Sequence, residues 1–361
     1  MRDLAVREED YSAVDAMLSR FSRAPLSMRL LPAFARGDSA ARLRFIEEAT
    51  NSDNRQSQIG ARFVATFLED FTTAESIARL DLAERRRPPI RLGAQIFLAW
   101  LELARGRWSA GRSAFESANR MEGASGIEIE RAIAATLPFL EVPRAELGEI
   151  RAEVEGSDPS PAGSGSSGGL AVRLRPYLRL YLLSVLSSRL GDDLTAAHYA
   201  AQIESLPPVP EAGAVVRNLA QTARADIALR NGRAAEALAL LEQVNGEVPL
   251  ELVYLKVFAT VREFGQEHAR YLRAEALMAL RRYDEALRWY QTSFQGSPAE
   301  LVYVAPSHLR QAQIHEARGE REKAAAHYRR FVDLWAAADP PLQSTVNNAR
   351  AKLTHTTSKA R

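Results

Sequence analysis

One four-position pattern recurs along this chain and constrains its fold more than any other feature. GRAAEALALLEQV places Ala237, Leu241 and Val244 five, nine and twelve residues after Gly232. GEREKAAAHYRRF repeats the offsets as Gly319, Ala324, Tyr328 and Phe331, and GDDLTAAHYAAQI as Gly191, Ala196, Ala200 and Ile203. GRWSAGRSAFESA gives Gly106, Gly111, Phe115 and Ala118, while RRYDEALRWYQTS puts Arg281 in the glycine position ahead of Ala286, Tyr290 and Ser293. A glycine can take the left-handed conformation that ends one helix just before the next begins. A small residue five positions on lets the two helices approach, and bulky residues at nine and twelve fall on the same face and fill the groove between them. Each copy therefore predicts a helical hairpin.

The rest of the chain agrees. Apolar residues recur at three-to-four spacing almost throughout, without sustained alternating runs of Val, Ile and Thr, so the expected class is all-α. The 361 residues suffice for two domains or one extended array. The stretch PAGSGSSGGL contains Gly163-Ser164-Gly165-Ser166-Ser167-Gly168, the G-x-G-x-x-G spacing of phosphate loops. Such a loop needs a strand before it, and the preceding EGSDPSP excludes one. We read 156–170 as a flexible Gly/Ser/Pro linker between degenerate hairpins over 1–155 and better-formed ones, with a cap helix, over 171–361.

The segment YLRAEALMALRRYDEALRWYQTSFQGSP resembles a tetratricopeptide repeat: Tyr283, Ala286, Tyr290 and Pro298 fall where that family carries Tyr, Ala, an aromatic residue and Pro. It departs at Arg273 and Arg281, where Leu and Gly are usual. Successive turns at Gly191, Gly232, Arg281 and Gly319 lie 41, 49 and 38 residues apart, against a family period of about 34. The resemblance implies a right-handed α-solenoid whose first helices line a concave groove for a protein or peptide partner. Carried over one position at a time, the implied groove residues are Ile96 and Trp100, Tyr181 and Val185, Thr222 and Asp226, Tyr271 and Glu275, and Arg310 and Gln313. The Lys, Asn and Arg set with which some members clamp a terminal carboxylate is missing. The stretch from His308 to Gln343 resembles C-terminal helical regions of bacterial proteins carrying a serine/threonine kinase or DNA-binding regulator domain, so a fused or associated N-terminal domain of that kind is an expectation. Tyr11, Val14 and Leu18 read as the second helix of a hairpin whose first helix is cut short, which is expected either of the C-terminal part of a longer protein or of an end that packs on a partner; the alternative is a self-capped first helix that belongs to no hairpin.

Little speaks for chemistry. The six histidines (His198, His268, His308, His315, His327 and His355) complete no ligand spacing, although His308 and His315, seven apart, can share a helix face. They read as surface or groove histidines. Arg85-Arg86-Arg87, ahead of Pro88-Pro89, reads as a solvated basic loop. No kinase motif, nucleophile elbow or catalytic carboxylate pair occurs, so neither an enzyme nor a bound cofactor or metal is expected. A net charge of +2 implies no nucleic-acid partner. No run is apolar enough for a membrane span, and the absence of cysteine suits a cytoplasmic location. The leading expectation is a non-catalytic interaction scaffold in bacterial signalling; the alternative is a helical module sensing a small molecule.

Overall fold

The computed structural model describes residues 38–51, 64–65, 68–124, 126–157, 169–246, 267–291 and 298–358. Among them the only regular structure is helix. No described helix is long and apolar enough to cross a membrane. Tyr11, Val14 and Leu18, the G-x-G-x-x-G stretch and Ser293 lie outside the described residues.

The chain divides into two compact units. The first comprises the described residues of Met1–Glu102 and Ala110–Ser125, the second Leu103–Ser109 and Gly126–Arg361. The earliest α-helices among the described residues are α1 (Ser39–Asn51), α2 (Phe71–Arg79), α3 (Pro88–Ala104) and α4 (Trp108–Asn119). Asp70 caps α2 by accepting from the backbone N–H of Thr73 at 3.0 Å, and the Trp100 and Phe115 rings meet edge-on at 5.6 Å in the first unit. In the same unit Arg86 is buried, with Nε 3.4 Å from Asp81 Oδ1. The solvated basic loop expected there is corrected to this extent: Arg85 and Arg87 are exposed, but Arg86 belongs to the core.

The second unit holds α5 (Ile127–Thr136), α6 (Arg144–Gly156), α7 (Arg175–Arg189), α8 (Asp193–Ser205), α9 (Gly213–Arg230) and α10 (Ala234–Glu242). It continues with α11 (Glu267–Ala279), α12 (Tyr283–Gln291), α13 (Val304–Ala317), α14 (Arg321–Leu334) and α15 (Gln343–Ser358). Helices α7/α8, α9/α10, α11/α12 and α13/α14 pair as hairpins, and each second helix also packs on the first helix of the next hairpin, α14 finally on α15. This is an all-α solenoid of tetratricopeptide-like hairpins. α6 and α7, on either side of 156–170, pack against each other.

The recurring pattern explains the hairpins. Gly191, Gly232, Arg281 and Gly319 all have positive φ, and in each case the next residue's N–H reaches back five residues: Asp192 to Ser187, Arg233 to Ala228, Arg282 to Leu277 and Glu320 to His315, at 2.8–2.9 Å. This bond satisfies a carbonyl at the end of the first helix. Ala196, Ala237, Ala286 and Ala324 are buried at the close helix contact, and the residues nine positions after each turn residue, Ala200, Leu241, Tyr290 and Tyr328, are buried behind them. Arg281 holds φ +58° where its sisters are glycine. A side chain in that region costs about 1–2 kcal/mol, partly offset by glycine's greater unfolded-state freedom of about 0.4–1 kcal/mol. Arg281→Gly is therefore expected to stabilise the second unit by roughly 0.5–1 kcal/mol in chemical denaturation; a loss of stability would show that Arg281 contributes through its side chain.

The C-terminal end does more than cap an array. α15 buries Val346 and Ala349 and exposes most of the side chains described over 343–353, as a cap should. The residues just before it return to the turn after α3: Trp335 Nε1 donates to Ala104 O at 2.9 Å, Asp339 N to Gly106 O at 3.0 Å, and Ser109 N to Asp339 Oδ2 at 3.0 Å.

Candidate functional groove

A cleft of about 560 Å³ opens in the second unit. Its lining comes from the loop after α5 (Phe139, Glu141), from α11 (Tyr271), from α13 (Leu309, Arg310, Gln313, Glu316), from α14 (Tyr328) and from α15 (Thr345, Asn348, Lys352). The loop is held from outside: Arg189 donates to Ala135 O, Leu137 O and Leu140 O at 2.5–2.7 Å, and burial lowers the guanidinium pKa to about 10. Phe139 meets Tyr271 and Tyr303 edge-on at 5.3 and 5.4 Å. The cleft thus has an aromatic wall.

Charge along it is paired. Arg310 grips Glu275 with both arms, Nε to Oε1 at 2.8 Å and NH2 to Oε2 at 2.7 Å, and Tyr290 donates to the same carboxylate at 2.6 Å. Arg310 also donates to Gln313 Oε1 at 3.0 Å. Further along α13, Glu316 accepts from Tyr328 at 2.7 Å and from Lys352. Desolvation, then the Glu275 charge, pushes the Tyr271 and Tyr290 phenols well above the usual 10. Desolvation and then Glu316 push Tyr328 up as well. Glu316 itself is held below the usual carboxylate range by Lys352 and Tyr328, against desolvation.

A raised phenol contributes stability that is complete below the unfolded-state value near 10 and is lost as pH climbs toward the folded value. In an ultraviolet tyrosinate titration, Tyr271 and Tyr290 are expected to ionise only as the second unit unfolds above about pH 10. Glu275→Gln, which leaves Arg310 without its counter-charge in a half-buried site, is expected to destabilise by about 1–3 kcal/mol and to bring those two phenols down. An unchanged titration would refute that coupling.

The positions carried over from the resemblance divide by whether they line the cleft, and Tyr271, which does, is buried like those that do not. Ile96, Trp100, Tyr181, Val185, Thr222 and Asp226 are buried. Three of them are hydrogen-bonded internally: Tyr181 Oη meets His268 Nδ1, Thr222 donates to Asn218 O at 2.7 Å, and Asp226 accepts from Ser188 and Arg230, both at 2.9 Å. Tyr271, Arg310 and Gln313 line the cleft, with Glu275 behind Arg310. The structure places Phe139, Glu316, Tyr328 and Lys352 there too, which the sequence reading did not. Phe139, Tyr328 and Lys352 arise on a loop, a second helix and the cap, where the resemblance assigns no groove role, while Glu316 lies on the first helix α13 beyond the positions carried over; Tyr328 holds a packing position in the repeat pattern. The reading of all histidines as surface or groove residues is corrected for His268 and His315, which are buried.

No protein-family model matches the sequence, and no curated protein matches it. Among solved structures the chain is similar to a tetratricopeptide repeat protein from Parabacteroides merdae, at 13% identity and a TM-score of 0.38, over 86% of this chain and 99% of that one.

Proposed function

We propose that the second unit is a non-catalytic interaction scaffold whose cleft takes an extended peptide from a protein partner. The supporting observation is the lining. Asn348 offers a side-chain amide that both donates and accepts, as an extended main chain requires, and Gln313, whose Oε1 already accepts from Arg310, offers its amide N–H, beside an aromatic wall and charges that already have partners. Such a surface orders a backbone and holds apolar side chains without demanding a particular charge. The test is selection from a random peptide library on the folded protein, followed by a Gln313→Ala/Asn348→Ala double variant. Loss of two or so hydrogen bonds should weaken selected peptides by about 10-fold or more; equal binding to the variant would refute the cleft as the site.

A second reading has the cleft volume in its favour, since about 300–1,000 Å³ is the range of small-molecule sites. Thermal stabilisation by a soluble metabolite fraction, abolished by Leu309→Arg, would establish that reading in place of the peptide. The finer form of the scaffold reading, a cytoplasmic regulatory segment tied to a bacterial kinase or DNA-binding domain, is supported by the resemblance of the stretch from His308 to Gln343. It fails if the genomic sequence upstream encodes no such domain in frame.

A further inference from the structure

By helical spacing, Ala269 and Arg273 fall on the face of α11 opposite Tyr271, which lines the cleft. A second pocket of about 310 Å³ opens against them within the second unit, walled by Leu241 of α10, Val244 just beyond it and Trp289 of α12. Arg273 is one of the two positions at which this hairpin departs from the repeat pattern. It is half-buried, with its guanidinium carbon 4.4 Å from the centre of the Trp289 ring. Stacking of this kind engages the face of the guanidinium and leaves its in-plane N–H donors for other partners. The protein does not supply them all: Arg273 Nε is shut off from solvent with no hydrogen-bond partner among the described residues. Glu285, whose charge interacts with that of Arg273, is already gripped by Arg282 through Nε and NH2, each at 2.7 Å. Arg270, about one turn earlier, is exposed at the same pocket.

We propose that this pocket binds a small monocarboxylate with an apolar body, of the size and character of a phenylalkanoate. Its volume stands at the lower end of the range for small-molecule sites, about 300–1,000 Å³. Leu241, Val244 and Ala269 cover the hydrocarbon body. Arg273, held flat by Trp289, takes the two carboxylate oxygens along its planar edge, as Arg310 takes those of Glu275 elsewhere in this unit. Arg270 adds attraction from the rim. A phosphate dianion fits less well, because the walls present apolar side chains where its remaining oxygens need donors. This inference is independent of the cleft, since it concerns another face of α11, other side chains and another ligand.

The probe is 3-phenylpropionate, titrated into the full chain by calorimetry, with nuclear Overhauser contacts from its ring to the protein read by NMR. The expected result is one equivalent bound, with contacts to the Trp289 indole and the Ala269 methyl. The matching alcohol, 3-phenyl-1-propanol, has the same body without the charge and should bind about 10-fold or more weakly. Arg273→Gln should weaken binding of the acid by about 10- to 100-fold. Arg329→Gln, at an exposed arginine on α14, and Leu309→Arg, in the cleft, should leave it unchanged. If Arg273→Gln loses its fold, the comparison with the alcohol and the Overhauser contacts still decide. Absence of binding, equal binding of the alcohol, ring contacts to cleft residues in place of Trp289, or loss of binding in Leu309→Arg each overturn the site.

Discussion

Gly106→Ala is expected to destabilise the second unit by about 2–5 kcal/mol, combining about 1–2 for a side chain at positive φ with about 1–3 for overpacking. The backbone there holds φ +72°, and a Cβ would stand 3.0 Å from Ala338 Cβ and 3.1 and 3.2 Å from the Trp335 ring carbons Cδ2 and Cε2. Trp335 cannot yield easily: its Nε1 is bound to Ala104 O at 2.9 Å and its ring packs on Phe331 at 5.2 Å. For a unit of this size the melting temperature should fall by roughly 5–15 °C. Gly319→Ala is the control, with φ +74° but nothing within 4 Å of its added Cβ. It should cost only the backbone share, about 1–2 kcal/mol. Equal losses for the two variants, measured by calorimetry, would mean that the C-terminal residues do not press on the Gly106 turn.

Arg86→Met is expected to cost the first unit about 3–5 kcal/mol, the usual consequence of leaving a buried charge without its counter-ion. The side chains of Arg86 and Asp81 are 2% and 0% exposed, so water cannot take over the solvation of the surviving carboxylate. Adding Asp81→Asn should recover most of the loss, because the amide carries no charge to strand. A double-mutant cycle in urea gives the coupling directly. Additive losses in the double variant would show that the two side chains do not act as a pair. Arg85→Ala, at the exposed end of the same run, should change stability by no more than about 0.5 kcal/mol.

These two sites differ in how far the sequence foretells them. The glycine pattern identifies the turn at Gly106, as it does those at Gly191, Gly232, Arg281 and Gly319, because a helix end in the left-handed region leaves a local residue signature. It reveals even the exception, Arg281, since the other three positions of the pattern fix the register. What presses on Gly106 is invisible, because Trp335 and Ala338 lie more than two hundred residues away and no repeat period links them. The Arg86 pair is hidden for a related reason: a run of three arginines looks uniform, and only the packing of the preceding turn, with Asp81 inside it, selects the middle one for burial.

The candidate groove shows the same division. Tyr271, Arg310 and Gln313 are legible as first-helix positions. Yet six of the positions chosen by that rule, from Ile96 to Asp226, are filled by internal packing, and the cleft is completed by Phe139, Tyr328 and Lys352, which the rule does not reach. By itself the sequence determined the helical class, the hairpin unit, the turn conformation and the small-to-large order of residues in each second helix, because all of these depend on contacts within a few turns of chain. Only the tertiary structure decided where the chain's end docks, which arginine is buried, which histidines are buried and which faces enclose a cleft. Those outcomes depend on contacts between segments far apart in sequence, whose side chains carry no local mark of the partners they meet.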